Sequence, residues 1–344
     1  LSLAQSRIGS ERGYSAKPGT YAALDLGTNN CRLLVARPSY DGFRVVDAFS
    51  RIVRLGEGLA LSGRLSEGAI GRAIEALKIC RDKMDARNVS RARLIATEAC
   101  RSADNGLDFI DRVEREAGLA LEIVDRETEA RLAAAGCAVL AHPQASDVVV
   151  FDIGGGSTEL VWLRSQKGCR DLTRERIKAW ISLPHGVVTL ADRYGGVAVD
   201  EAIFEAMIED VRRSLKPFQD KASVAVRQPN FHLLGTSGTV TTIAGVHLGL
   251  DRYDRRRVDG LWMTKVEIDA VQARLRGMNF EQRAANACIG SDRADLVLAG
   301  CAIFEAIRRA FPSERVRIAD RGLREGMLTE MMGADGAWPR GGRR

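Results

Sequence analysis

Twice the chain presents one short device: an apolar run whose penultimate residue is aspartate, entering at once a polar turn that carries glycine. The first is 21–26 with Asp25, leading into Gly27-Thr28-Asn29-Asn30, and the second is 148–153 with Asp152, leading into Gly154-Gly155-Gly156-Ser157. A second apolar run follows each turn, at 31–36 and 159–163, so each unit predicts a β-hairpin. The likeness is confined to the hairpins, but two related hairpins opening the two halves imply two related lobes. With 344 residues there is chain enough for two domains of ordinary size, each burying its own core.

What lies between the hairpins alternates in the manner of an α/β protein. The first half reads as an alternating run (43–52), a helix (66–84) lining one face with Ile70, Ile74 and Leu77, a strand (93–96), a helix (107–117), a strand (121–124) and a helix (127–140). The second half reads as a helix (199–215), a strand (231–234) running into Gly235-Thr236-Ser237-Gly238-Thr239, helices at 265–275 and 294–310, a strand (315–318) and a last helix. This predicts a first domain over 20–140 and a second over 141–322. A leader (1–19) and a tail (334–344) are expected to be flexible.

Several function classes are set aside by composition. No apolar run is long enough to span a membrane. The seven cysteines are odd in number and never spaced C-x-x-C, and the four histidines show no ligand spacing, so neither a disulfide framework nor a zinc site is expected and a reducing cytoplasm fits best. A net charge of +6 favours an anionic partner, yet the aromatic content of 6% without basic-aromatic interleaving gives no base-stacking surface, so no specific nucleic acid is expected.

Three turns carry candidate chemistry. Glycine and asparagine let the first turn point several backbone N–H groups at one anion, although an ordinary hairpin turn with a solvated Asp25 reads equally well. Three consecutive glycines in the second turn give up backbone entropy, which makes sense where a ligand approaches the main chain closely. The third, Gly235 to Thr239, joins a strand to a helical run at 240–246, where free N–H groups and the helix dipole attract anions; a plain N-cap by Ser237 or Thr239 is the alternative.

Together with Glu129-Ala130-Arg131-Leu132, Ser182-Leu183-Pro184-His185-Gly186 and Asp320-Arg321-Gly322-Leu323-Arg324-Glu325-Gly326, these turns resemble those of the actin-like, sugar kinase and chaperone ATPase superfamily. Within it the chain is most similar to the exopolyphosphatase and guanosine pentaphosphate phosphohydrolase (Ppx/GppA) family, over about 21–332. The resemblance implies two actin-like (ribonuclease H-like) α/β lobes with a cleft between them, and a helix at 323–333 that returns to the first lobe. It implies an Mg²⁺-dependent hydrolase that releases terminal phosphate from inorganic polyphosphate or guanosine pentaphosphate.

In that reading Glu129 orients or deprotonates water, Arg101 matches the family's phosphate-binding arginine and holds the transferring phosphoryl group, Glu159 is a further catalytic residue, and Asp25, Asp152 and Glu159 position the metal. Phosphates are gripped by Gly27, Thr28, Asn29, Asn30 and Arg32, by Gly154, Gly155, Gly156, Ser157 and Thr158, and by Gly235, Thr236, Ser237 and Gly238. Oxygen ligands without a His or Cys cluster favour Mg²⁺. From the residues alone, Glu129 is better explained by its place in the first turn of a helix capped by Asp125, and the resemblance is what makes it the candidate for activating water. Thr28 and Asn30 stand where serines are commoner in the family, and Thr128 stands where an acidic residue usually precedes the catalytic glutamate. The chain resembles the short, two-domain members. An actin-like small-molecule kinase and a non-catalytic polyphosphate or alarmone sensor are the rival readings, and whether the protein forms a homodimer is left open.

Overall fold

The structure is a computed structural model and describes residues 19–40, 42–164 and 176–338. The expected leader, save Gly19, and the chain beyond 338 lie outside the described residues. Strand β1 (Tyr21–Leu26) buries every residue but Asp25, as a central strand covered on both faces must. It pairs antiparallel with β2 (Asn30–Ser39), which pairs antiparallel with β3 (Gly42–Ile52). Its other edge pairs parallel with β4 (Arg91–Ala96), and β4 with β5 (Glu122–Ile123), giving the order β3-β2-β1-β4-β5. The helices of this half are α1 (Leu59–Ser62), α2 (Glu67–Ala86), α3 (Glu98–Ser102), α4 (Gly106–Ala117) and α5 (Arg126–Cys137). Ser66 caps α2 by accepting from Ala69 N–H, and the helix buries Ala69, Ile70, Ala73, Ile74 and Leu77 at helical spacing against the sheet.

The second half is built from β6 (Asp147–Ile153), β7 (Thr158–Arg164), β8 (Ile177–Leu183), β9 (His232–Thr236), β10 (Trp262–Thr264) and β11 (Arg315–Ala319). Its order is β10-β11-β9-β6-β7-β8. The run β8-β7-β6-β9-β11 therefore repeats β3-β2-β1-β4-β5 strand for strand and with the same parallel or antiparallel sense at every pairing. Even the register shift recurs, between Val35 and Ala36 where β2 meets β3 and between Trp162 and Leu163 where β7 meets β8. The repeat that the sequence shows only in its hairpins thus extends through a whole sheet. Helices α6 (Val187–Tyr194), α7 (Glu201–Ala222), α8 (Gly238–His247), α9 (Arg255–Val258), α10 (Lys265–Arg276), α11 (Phe280–Ala285) and α12 (Val297–Ala310) complete this half. α12 begins at Val297 rather than 294, because the residues before it turn back toward the cleft.

The last helix, α13 (Leu323–Ala334), lies across the first sheet, where Leu323, Met327, Leu328 and Met331 pack with Tyr21, Ala23, Leu34 and Ile95. It crosses α5 at backbone contact: a Cβ at Gly326 would stand 2.1 Å from Leu132 O, so only glycine fits. α5 in turn puts Leu132 into that cluster while Ala130, Ala134 and Cys137 pack on the second sheet. Only residues 334–338 of the expected tail lie within the described residues. Ala337 and Trp338 pack on the first-lobe cluster, and Tyr21 Oη donates to Asp335 at 2.8 Å, so order persists to the last described residue. The six cysteines among the described residues are free and buried, and no described helix is long and apolar enough to cross a membrane.

Candidate active site

The two hairpin turns close identically. Gly27 N–H donates to Asn30 O and Gly154 N–H to Ser157 O, both at 2.9 Å. In each lobe the segment after the third strand then draws the turn's carbonyls away. Val53 and Arg54 N–H donate to Asn29 O and Gly56 N–H to Thr28 O, while Val187 N–H donates to Gly154 O and Val188 N–H to Gly155 O. With the carbonyls engaged from behind, the N–H groups of Thr28, Asn29, Gly155 and Gly156 have no acceptor among the described residues. Such a run of free N–H groups is an anion-binding concavity.

The two turns meet. A Cβ at Gly155 would lie 3.0 Å from Asn29 N and from Thr28 Cβ, and one at Gly156 would lie 2.6 Å from Thr28 Oγ1, so the glycines permit the contact. Both turns line one cleft of about 690 Å³ between the lobes. Asp25, Asp152, Glu159 and Glu129 line it as well, and so do Arg32, Thr236, Ser237 and Gly238.

At the strand-to-helix junction the plain N-cap by Ser237 is not formed. Ser237 sits at φ 85°, a strained value for a residue with a side chain, and its hydroxyl donates to Ile153 O instead of capping α8. No side chain caps that helix, so its first N–H groups open onto the cleft. A Cβ at Gly238 would stand 3.7 Å from Arg293 Nη1 and 3.9 Å from Arg32 Nη2, which places two guanidiniums, one from each lobe, over the uncapped end. Arg32, Arg293 and Arg324 all line the cleft, and none has an ion-pair partner among the described residues. Burial, then the nearby Arg32, lowers the Arg293 pKa, and burial lowers that of Arg324. Unpaired cations held so close together are costly unless an anion arrives to offset them.

Facing these cations are carboxylates. Burial raises the Asp25 pKa; at Asp152 burial and the charge of Asp25, against the pull of Arg32, push the pKa up to about 6. At Glu159 burial and the charge of Asp152 push it to about 7, while Ser182 Oγ donates to its Oε1 at 2.8 Å. Glu129 is raised well above the carboxylate range by burial and then by Glu159, with Arg101 pulling it back. Arg101 Nη2 donates to Glu129 Oε2 at 3.0 Å and Arg101 Nε to Glu98 Oε2 at 3.1 Å, and Glu98 is gripped in turn by Arg126. Asp125 does cap α5, accepting from Thr128 N–H at 2.7 Å, so Glu129 sits in a capped first turn and in the cleft at once.

Three of the residues singled out in the sequence take other places. Gly235 lies inside β9, where a Cβ would stand 2.3 Å from Phe151 Cζ; its smallness serves packing. Thr158 is fully buried and donates to His185 O at 2.6 Å. Arg101 does not line the cleft and reaches it through Glu129. Nor do Asp25, Asp152 and Glu159 close into a three-ligand metal cage, since no cluster of three His, Cys, Asp or Glu suited to a metal exists among the described residues. Conversely, Glu98, Arg293 and Arg324 line the cleft unannounced; only Arg324 had a signal, within the Asp320 to Gly326 segment.

Two sheets of repeated topology whose hairpin turns meet across a cleft define a two-lobed protein of the actin-like class. The chain belongs to the Ppx/GppA phosphatase family, whose model matches residues 34–335. Among relatives, exopolyphosphatase 2 of Mycobacterium tuberculosis is 27% identical over 329 residues, covering 91% of this chain and 98% of that protein. A crystal structure of the Aquifex aeolicus Ppx/GppA family member is 29% identical, with TM-score 0.73, over 92% of this chain and 98% of that one. An exopolyphosphatase structure from Cytophaga hutchinsonii, 24% identical, shares the fold with TM-score 0.80 over 93% of this chain and all (100%) of that one.

Proposed function

We propose that the protein hydrolyses the terminal phosphoanhydride of inorganic polyphosphate or of guanosine pentaphosphate, with Mg²⁺. One observation carries the reading: two turns of free N–H groups and three guanidiniums unpaired among the described residues face Glu129, a partly buried carboxylate whose pKa is raised, across one cleft. The N–H groups of Thr28, Asn29, Gly155 and Gly156 grip successive phosphates, and Arg32, Arg293 and Arg324 take up the charge on their outer oxygens. Glu129 accepts a proton from water as the water oxygen bonds to the terminal phosphorus, and the bond from that phosphorus to the bridging oxygen breaks, leaving the oxygen on the shortened chain. Arg101 holds the Glu129 carboxylate in place.

The carboxylates fit Mg²⁺ as an open site. Asp25 and Asp152 are oxygen donors without ion-pair partners among the described residues, and Asn30 Oδ1 is buried without a hydrogen bond. Two carboxylates completed by water and phosphate oxygens suit an ion that keeps part of its hydration, with Glu159 acting through water. When bound, the ion neutralises phosphate charge. The test is phosphate release from short polyphosphate, long polyphosphate and guanosine pentaphosphate side by side, for the wild type and Glu129→Gln. The variant is expected to bind substrate and lose about 10² to 10⁴ in rate. Unchanged release removes Glu129 from the reaction, and a phosphorylated small molecule formed from ATP would favour a kinase.

A further inference from the structure

Arg54 joins two parts of the cleft that belong to different lobes. Its backbone sits directly behind the first turn, where Val53 N–H and Arg54 N–H both donate to Asn29 O, at 2.9 and 3.1 Å. Its φ is 48°, left-handed for a residue with a side chain, and a position kept under such strain usually serves a geometric purpose. The purpose is visible in where the side chain goes. Arg54 Nη1 donates to Asp295 Oδ2 and Nη2 to Asp295 Oδ1, both at 3.0 Å, and Nη2 also donates to Asp292 O at 2.9 Å. Asp292 and Asp295 flank Arg293, the second-lobe guanidinium beside Arg32.

The same short segment is held from its own lobe by Arg283. This guanidinium is only 2% exposed and binds no carboxylate among the described residues, donating instead to Ala294 O at 2.9 Å, Met278 O at 2.8 Å and Val197 O at 2.6 Å. Arg293 is thus fixed by one arginine from behind and by another from across the lobe boundary. An ion pair of this exposure, 29% and 27%, adds little to stability, on the order of 0–1 kcal/mol. Its fork geometry can still set position, and what it positions is one cation against the repulsion of another.

We propose that Arg54 is a positioning residue: it ties the first phosphate turn, through Asn29, to the segment that carries Arg293, so that Arg32 and Arg293 are held together over the anion site. The inference rests on reading Arg293 as a phosphate ligand. Cutting the fork lets Arg293 withdraw from Arg32 and weakens phosphate binding, while Glu129 and Arg101 keep their places.

The test is a double-mutant cycle read in two ways: KM and kcat for phosphate release from short polyphosphate, and the Kd of tripolyphosphate by calorimetry. The chains compared are the wild type, Arg54→Met, Arg293→Ala and the double variant. Each single change is expected to raise Kd and KM about tenfold, with kcat within about threefold, and the double variant to be no worse than about tenfold, since one charge-assisted contact is lost in every case. Effects that multiply to about a hundredfold, or an Arg54→Met protein with unchanged Kd, overturn the proposal. Should Arg54→Met not fold, Asp295→Asn cuts the same fork from the other lobe in the same cycle. Tripolyphosphate bound with the expected coupling, but no phosphate released by the wild type, would sink the hydrolase reading and uphold the coupling.

Discussion

Arg101 Nη2 donates to Glu129 Oε2 across 3.0 Å, from a guanidinium that also donates through Nε and that same Nη2 to Glu98 Oε2. The arginine comes from α3 and the glutamate from the first turn of α5, so the bond joins two elements at the floor of the first lobe. Arg101 is 16% exposed at its side chain, and removing it leaves two carboxylates facing each other in a partly buried place. Arg101→Met is expected to lower kcat by about 10²-fold or more, because Glu129 loses the charge-assisted hydrogen bond that orients it. Arg101→Lys should recover only part of this, since a point charge cannot hold both carboxylates in one plane. Steady-state phosphate release for the two variants checks the ranking, and equal kcat for Met and wild type would remove Arg101 from the reaction.

The contact between the two turns predicts a separate outcome for Gly156. A methyl group there would sit 2.6 Å from Thr28 Oγ1 and 3.1 Å from Glu98 Cγ, so the turns must move apart by several tenths of an ångström. Both neighbours are side-chain atoms at the cleft wall, so the fold can yield while the spacing of the N–H groups cannot. Gly156→Ala should therefore lower kcat/KM about tenfold to a hundredfold with a nearly unchanged denaturation midpoint. Kinetics and urea denaturation on one preparation separate the two effects.

The parts of this arrangement that the sequence discloses are local ones. An aspartate closing an apolar run, followed by glycines, is a property of ten consecutive residues or so, and both hairpins form as that pattern predicts. Glu98 and Arg293 had no such signal. Glu98 gains its role only when α3 and α5 bring Arg101 and Arg126 to it, and Arg293 reads in sequence as one more solvated arginine. β8 escaped notice because Lys178 and Ser182 interrupt its apolar residues and its partner β7 supplies the missing burial. At Ser237 the residues fit a helix cap and an anion site equally; the backbone angle and the hydroxyl's donation to Ile153 O exclude the cap, and neither is written in residue type.

Gly235 offers the converse of Gly156. It was expected to bind phosphate, but a Cβ there would meet Phe151 Cζ at 2.3 Å and Cε2 at 2.7 Å, and Phe151 is itself stacked on Phe304 at 5.5 Å. Gly235→Ala overpacks the second-lobe core and should cost about 1–3 kcal/mol of stability with little change in KM. Adding Phe151→Leu makes room and should restore part of the loss. A Gly235→Ala protein of normal stability and raised KM would return this residue to the binding site.

Acid stability should depend on His232, far from the chemistry. The ring is 1% exposed and lies edge-on to Trp262 at 5.0 Å; His142 N–H donates to its Nε2 at 3.4 Å, so the proton sits on Nδ1, which donates to Asn230 O at 3.2 Å. Burial first, with Arg315 and Arg317 adding to it, lowers its pKa from 6.5 to about 4. The unfolded chain therefore takes up a proton below about pH 6.5 that the folded chain refuses until about pH 4. Stability is fully present above pH 6.5 and is lost as pH falls through that window, by about 3 kcal/mol for this group at most. In His232→Gln nothing titrates at this position, so its stability should be lower than the wild type's at pH 7 yet fall less steeply between pH 6.5 and 4. Urea denaturation at half-unit intervals measures the two slopes, and parallel curves would mean that His232 is protonated in the folded protein as readily as in the unfolded one.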